Sequence, residues 1–218
     1  GALNGCISLN QIAIPSSVTT IGDYAFQNCT SLKQIEIPPS VTTIGLYTFS
    51  KCASLEQIII PPSVTSIKGY TFYLCESLKQ INIPPNVTFI GAFAFAGCSK
   101  IKELTIHSPI IGFSTFRDCS SLKKITFSYL EIINENCFGN CTSLTQIIIP
   151  QSVVRIQKLA FYNCSSLTKI EIPNSEATIG NNCSKGCSSL KQIKLHSSEC
   201  SSSDQITISS SATSNGEN

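Results

Sequence analysis

The chain has 218 residues, of which 42% are hydrophobic and 13% are charged, with a net charge of +2. The hydrophobic fraction is enough for a continuous core, and the exposed positions must be filled largely by Ser, Thr, Asn and Gln. So small a net charge indicates no nucleic-acid partner and no anionic membrane surface. No apolar run reaches the length of a membrane-spanning helix, so we expect no direct membrane insertion. The chain lacks methionine, and we therefore expect a processed chain or a fragment, with any secretion signal or anchor lying outside it.

A cysteine recurs through the chain at a nearly constant interval. Members of this series are 23 residues apart from Cys6 to Cys98, and 21 to 23 residues apart from Cys98 to Cys187. Each begins the same pattern, C-x-S-L-x-x-I-x-I-P-x-x-V-x-x-I-G-x-x-A-F-x-x. A period of this length is typical of a solenoid, in which each unit buries its apolar face only against its neighbours. We predict one array of about nine repeats over residues 1–196, followed over 197–218 by a Ser-rich tail or end cap.

One repeat predicts three elements in chain order. Polar and apolar residues alternate over 34–37, which indicates a short strand with one solvated face. Pro38 ends this strand because proline cannot donate to a ladder. Inward-pointing apolar residues over 41–44 then predict a second extended segment. The stretch 47–52 is predicted to form a short helical turn, because its apolar side chains recur three residues apart.

Stacking these units predicts uniform columns of side chains. Equivalent residues should lie about 4.8 Å apart, which makes the array roughly 40 Å long. One aromatic column is predicted from Phe26, Phe49, Phe72, Phe95, Phe116, Phe138 and Phe161. The stack is irregular between Cys98 and Cys119, where two residues are missing. Near the end, Ile206 and Ile208 are expected to lay a last strand across the open end of the array.

The repeat resembles a known class. The stretch from Leu32 to Cys52, L-K-Q-I-E-I-P-P-S-V-T-T-I-G-x-x-x-F-x-x-C, is similar to BspA-like leucine-rich repeats, and the similarity extends over residues 6–196. The resemblance implies a leucine-rich-repeat solenoid, with short parallel strands on the concave face and the second extended segments and helical turns on the other side. It also implies an adhesion or recognition protein, secreted or at the cell surface, as in bacteria and protist parasites. The family has no shared catalytic motif, and the concave sheet is its expected binding face.

The periodic cysteines invite a disulfide or a zinc interpretation. Stacked neighbours have parallel Cβ vectors, which do not suit the dihedral angle of a disulfide, and buried free cysteine behaves as a small hydrophobe. A zinc site needs four ligands, usually at tighter spacings. We therefore predict no cofactor and no metal. We expect reduced, buried and unreactive thiols at Cys29, Cys52, Cys75, Cys98, Cys119, Cys141 and Cys164. Replacing one of them with alanine should cost about 1 kcal/mol of stability, and serine should cost more where its hydroxyl finds no partner.

Nothing in the sequence indicates catalysis. His107 and His196 are four repeats apart, so roughly 20 Å should separate them. The aspartates are scattered, and neither a glycine-rich phosphate loop nor a nucleophile elbow occurs. We therefore expect a protein that is not an enzyme.

The candidate binding residues lie on two outward columns of the first strand. The first column contains Gln34, Gln57, Gln80, Glu103 and Lys124, and the second contains Glu36, Ile59, Asn82, Thr105 and Ile148. Two interpretations stay open for these columns. The glutamines could simply form amide ladders that satisfy one another, and single exposed isoleucines are common. Alternatively, Ile59 and Ile148 are contact anchors on a polar face.

A lysine patch accompanies these columns. Lys79, Lys102 and Lys123 should stack as like charges, with Lys100 and Lys124 nearby. The patch could meet an acidic partner, but Glu103 lies within it and solvated lysine faces are usual.

Five sequons also occur, and most of them follow from the N-C-[ST] stretch of the repeat. Their modification would require a secretory compartment, so they neither prove nor exclude secretion. They begin at Asn28, Asn86, Asn140, Asn163 and Asn182.

Two hypotheses from different classes follow. The first is a non-enzymatic recognition or adhesion module, at the cell surface or secreted, that binds a protein or a glycan on another cell or matrix through the strand face. The second is a structural scaffold that self-assembles, for example as a homodimer, through open repeat ends, because repeat arrays need capped ends to stay soluble.

Overall fold

The structure is a computed structural model and describes residues 1–195 and 205–206. Each repeat forms one coil of a parallel-strand solenoid, and each of the seven coils that begin at Cys29 to Cys164 contributes two short strands. We call the nine periodic cysteines the column cysteines, and we number the strands in chain order. The first strands are those that follow the column cysteines from Cys29 onwards. They are β2 Gln34–Ile35, β4 Gln57–Ile59, β6 Gln80–Asn82, β8 Glu103–Ile106, β10 Lys124–Phe127, β12 Gln146–Ile148, β14 Lys169–Ile172 and β16 Gln192–Leu195.

The second strands lie later in each coil and form a separate set of parallel ladders. They are β1 Thr20–Ile21, β3 Thr43–Ile44, β5 Ser66–Ile67, β7 Phe89–Ile90, β9 Ile110–Ile111, β11 Ile132–Ile133, β13 Arg155–Ile156 and β15 Thr178–Ile179. Equivalent residues of successive coils pair in register: β7 pairs with β9 through Phe89 and Ile110, although two residues are missing from that repeat. The shortened connection before β9 therefore absorbs the irregularity without shifting the stack.

The core consists of the predicted columns. The phenylalanine rings stack with centroid separations of 5.4 to 5.7 Å and interplanar angles of 2° to 9°. The seven cysteines expected inside are fully buried and free. Apolar residues of both strands complete this core. Successive side chains of a strand point to opposite faces, so every second one points inward.

The predicted helical turns are wrong, because the described residues contain no helix. Successive N–H groups of the segment 24–29 alternate in direction: three donate to carbonyls of the next coil at 2.8 to 2.9 Å, and three donate three residues back along the chain. An α-helix needs every N–H directed to the residue four back, so cross-coil bonding replaces it. Two left-handed residues per coil produce this geometry, as at Tyr47 (φ 55°) and Lys51 (φ 60°). We call these stretches, which precede each column cysteine, the turn segments.

The last described strand pairs with the end of the array. The strand β17, Gln205–Ile206, pairs antiparallel with β16 through Ile193 and Ile206. Ile206 therefore adds the end strand expected of it, whereas Ile208 and His196 lie outside the described residues. The division into an array and a tail at residue 196 remains a prediction.

Candidate functional site

All ten candidate residues lie exposed on one surface, the outward side of the first strands. We call this surface the first-strand face. In-register pairing brings Gln34, Gln57 and Gln80 into one row. A second pairing places Glu103 beside Lys124. The columns deduced from the repeat are therefore adjacent in space.

The two isoleucines are separate points on this face. Ile59 is 70% exposed and pairs with Asn82, whereas Ile148 is 45% exposed and pairs with Thr126. Four coils separate them, which corresponds to roughly 19 Å. They therefore cannot anchor one small ligand together, but an extended partner could reach both.

Open grooves run along the first-strand face. One, of about 760 Å³, is lined by the glutamine row and by Lys33, Glu56 and Lys79. A second, of about 940 Å³, includes Glu36 and Ile59. Lys33 and Glu56 were not among the candidate residues, although their place directly before the glutamines could have indicated them.

The electrostatics of this face differ from the predicted stack of like charges. Lys79 Nζ lies 2.8 Å from Glu56 Oε2, and this hydrogen bond lowers the pKa of Glu56. Both side chains are more than half exposed, so the pair contributes little to stability. Lys102 and Lys123 have no ion pair with any described residue. The lysine patch therefore contains fewer charges without an ion pair than predicted, because Lys79 is paired.

The amide-ladder interpretation of the glutamines does not hold for the described residues. No side-chain hydrogen bond joins Gln34, Gln57 and Gln80 within residues 1–195. An amide ladder forms instead in the turn segments, where Asn163 Nδ2 donates to Asn140 Oδ1 at 3.1 Å and Asn140 Nδ2 donates to Asp118 Oδ1 at 2.7 Å. The glutamine amides consequently remain available to a partner.

Side chains suited to catalysis or metal binding are not assembled in the part of the chain that the structure describes. Exposed His107 contacts Ser128 Oγ through Nδ1 at 2.7 Å. The described residues contain no group of three or more His, Cys, Asp or Glu side chains that could hold a metal ion. Burial raises the pKa values of Cys52 and Cys119 to about 12, so these thiols are neutral and poor nucleophiles near neutral pH.

A second distinctive surface lies on the turn segments and was missed from the sequence. The rings of Tyr24, Tyr47, Tyr70 and Phe93 stack at centroid separations of 4.5 to 5.0 Å. We call these four residues the aromatic ladder. The signal was an aromatic residue five positions before the column cysteine in four successive repeats.

Several solved structures share this fold. A leucine-rich repeat protein from Bacteroides ovatus is 29% identical, with a TM-score of 0.66, and the alignment covers 88% of this chain and 64% of that one. The T. pallidum leucine-rich repeat protein is 22% identical, with a TM-score of 0.65, over 83% of this chain and 78% of that one. A leucine-rich repeat protein from Eubacterium ventriosum is 25% identical, with a TM-score of 0.56, over 81% of this chain and 64% of that one. The chain thus spans less than two thirds of the length of the first of these proteins.

No match to a curated protein was found. No helix within the described residues has the length and apolar character needed to cross a membrane. The family model for the BspA type leucine rich repeat region (6 copies) matches residues 1–114 and 109–218. The stacked coils and the model match together place this chain in the BspA-type leucine-rich repeat family.

Proposed function

We propose that this chain is a non-enzymatic recognition or adhesion module, at the cell surface or secreted, that binds a protein or a glycan through the first-strand face. The observation that carries the proposal is the row of exposed, unbonded amides beside exposed Ile59 along two open grooves. Membership of the BspA-type family supports a binding role. Flat polar surfaces with a few apolar anchors suit macromolecular ligands better than small molecules, which prefer enclosed pockets.

Binding to cells, matrix proteins and immobilised glycans tests this proposal. The variants Glu36→Lys and Ile59→Ser change the second groove and should weaken binding about tenfold or more if they meet a binding hot spot. The matched control is Glu176→Lys, which makes the same charge change at an exposed position after β14. Protease or glycosidase treatment of the target distinguishes a protein from a glycan. Equal binding by all variants would place the site elsewhere on the molecule.

A second candidate function is a scaffold that assembles end to end. Its supporting observation lies in the first coil, where Leu3, Leu9 and Ile14 are only partly buried, whereas Leu32 in the second coil is fully buried. We infer that a homodimer through this end would cover these side chains, whereas at the opposite end of the described array β17 already pairs with β16. Light scattering across a concentration series should then show association that Ile14→Lys abolishes. A strict monomer at high concentration would rule out this function.

A further inference from the structure

Lysines without an ion pair are concentrated at the centre of the first-strand face. Four exposed lysines lie in the two successive coils that begin at Cys98 and Cys119, and none of them forms an ion pair with a described residue. Because the net charge of the whole chain is only +2, this is a local feature of the surface and not a consequence of composition. We call these residues the central lysine cluster: Lys100, Lys102, Lys123 and Lys124.

Backbone pairing brings the cluster together. The Lys123 N–H donates to the Lys102 carbonyl at 2.8 Å, and β8 and β10 pair in register. Strands paired in this way lie about 4.8 Å apart. Lys100 and Lys102 flank buried Ile101 in the chain. Four ammonium groups therefore extend from one small area of the surface, and their mutual repulsion is relieved when an anion binds among them.

The nearby carboxylates do not neutralise the cluster. Glu103 pairs in register with Lys124, and the Glu76 carbonyl accepts a hydrogen bond from Ser99 in the next coil. Neither carboxylate forms an ion pair with a described residue. On the side of the earlier coils, Lys79 is paired with Glu56, so the excess of cations is confined to two coils.

Polar side chains that can bond to hydroxyl groups adjoin the cluster. Thr105 pairs in register with Thr126, and Lys124 pairs in register with Gln146. Among the described residues, the side chains of these two threonines and of Gln146 have no hydrogen-bond partner. Hydroxyl and amide groups both donate and accept, so they complement the lysines, which only donate.

The cluster lacks the apolar anchors that a protein partner needs. Within residues 99–105 and 120–126, every apolar side chain is buried. Hot spots of protein interfaces are enriched in Trp, Tyr and Arg, and lysine is depleted at the cores of such interfaces. A hydrophilic anionic ligand therefore fits this area better than an acidic protein.

We propose that the central lysine cluster binds a linear sulfated glycan that runs along the stack, across β8 and β10. Lysine binds a sulfate group as a point charge and needs no planar, bidentate partner. A sulfated glycan can carry several anionic groups on neighbouring sugars, which matches four cations in two coils. This inference rests on the proposed function, because it specifies the glycan ligand of the first-strand face.

Binding of the full chain to immobilised heparin tests the proposal, with hyaluronan, which carries carboxylates but no sulfate, as the comparison. Heparin should bind at low salt and hyaluronan at least about tenfold more weakly, because its charge density is lower. Binding to heparin should be lost as salt rises, since the screening length falls from about 10 Å at 0.1 M to about 3 Å at 1 M.

Two matched variants locate the site. Lys123→Glu should weaken heparin binding about tenfold or more, because it replaces an attraction by a repulsion. The control is Lys191→Glu, the same change at the same repeat position, exposed and three coils away, which should leave the affinity nearly unchanged.

Glu103→Gln gives a measurement that misfolding cannot imitate. It removes the carboxylate within the cluster and should strengthen heparin binding severalfold. Glutamine already occupies this repeat position at Gln34, Gln57 and Gln80, so the coil accommodates the change.

Three outcomes would overturn the proposal. They are the absence of heparin binding at low salt, equal weakening by Lys123→Glu and Lys191→Glu, and binding to double-stranded DNA as tight as to heparin, which would identify a general cationic surface. Cell or matrix binding that Glu36→Lys weakens, in a protein that ignores heparin, would reject the sulfated glycan and retain the proposed function.

Discussion

At the scale of single residues, the column cysteines do more than fill space. The Cys75 thiol donates to the Phe49 carbonyl of the preceding coil at 3.1 Å, and that carbonyl also accepts the Cys52 N–H. The same contact recurs from Cys52 to Phe26. Serine at this column was expected to cost more than alanine only where its hydroxyl finds no hydrogen-bond partner. The carbonyl that accepts from the thiol provides such a partner.

The buried thiols predict a loss of stability at alkaline pH. The folded-state pKa of Cys52 is about 12 because burial disfavours the thiolate, against an ordinary value of 9.0. The contribution of the Cys52 thiol to the free energy of unfolding is complete below pH 9. It falls as the pH rises towards 12, because the unfolded state then binds fewer protons than the folded state. Cys52→Ala should reduce the slope of unfolding free energy against pH by about 1.4 kcal/mol per pH unit in this window.

Urea unfolding under reducing conditions at several pH values measures this slope. Tyrosine and lysine titrate in the same range, so the comparison of wild type with Cys52→Ala isolates the thiol. Equal slopes in both proteins would contradict the assignment of Cys52 to the interior.

A second residue-scale prediction concerns Ser50. Its side-chain oxygen is buried and makes no hydrogen bond with the described residues. An unsatisfied buried hydroxyl costs roughly 1 to 3 kcal/mol, and Ala96 occupies the equivalent position in a later coil. Ser50→Ala should therefore raise the free energy of unfolding by about 1 kcal/mol, as measured by chemical denaturation. A destabilised variant would mean that the hydroxyl has a partner in solution.

At the scale of the element, the turn segments decide how closely coils approach. A Cβ added to Gly91 would lie 2.4 Å from the Gly69 nitrogen, and one added to Gly112 would lie 2.3 Å from the Ala92 nitrogen. These contacts are with backbone atoms, so a side-chain rotation cannot relieve them. Glycine therefore permits the close approach at Gly91 and Gly112, whereas Lys68, Asn134 and Gln157 occupy the equivalent position in other coils.

This geometry predicts opposite outcomes for two alanine substitutions. Gly91→Ala should destabilise the array by about 2 to 3 kcal/mol or more, because the coils must separate locally. Gly22→Ala is the matched control, since no described atom lies within 4 Å of its added Cβ. Thermal unfolding of the two variants provides the test, and similar melting temperatures would contradict the close approach.

At the scale of the whole molecule, the array is quasi-one-dimensional. Each coil contacts its neighbours along the stack, so stability is a sum of coil terms and nearest-neighbour interfaces. Phe95 stacks on both Phe72 and Phe116 at 5.4 and 5.7 Å, whereas Phe26 stacks on Phe49 alone among the described rings. A column phenylalanine at the centre of the array thus has two stacking neighbours, whereas Phe26 near its end has one.

Truncating these two phenylalanines tests the one-dimensional description. Phe95→Ala should cost about 3 to 5 kcal/mol of unfolding free energy, because it opens a cavity between two coils. Phe26→Ala should cost less, because the first coil can fray while the remaining coils stay folded. Hydrogen exchange resolved along the chain measures both effects. Equal losses of protection throughout the array in both variants would show a single cooperative unit instead.

The sequence alone determined the repeat length, the parallel stacking, the buried columns and the two exposed columns of the first strands. Each of these follows from periodicity, because equal spacing in the chain becomes equal position in the stack. Only the tertiary structure decided the conformation of the turn segments, where spacing of three residues resembled a helix. Every second N–H group there bonds to the next coil, and a partner in another coil cannot be deduced from the local spacing of side chains. The ion pair of Lys79 with Glu56 and the stacking of the aromatic ladder were likewise decided by contacts between coils.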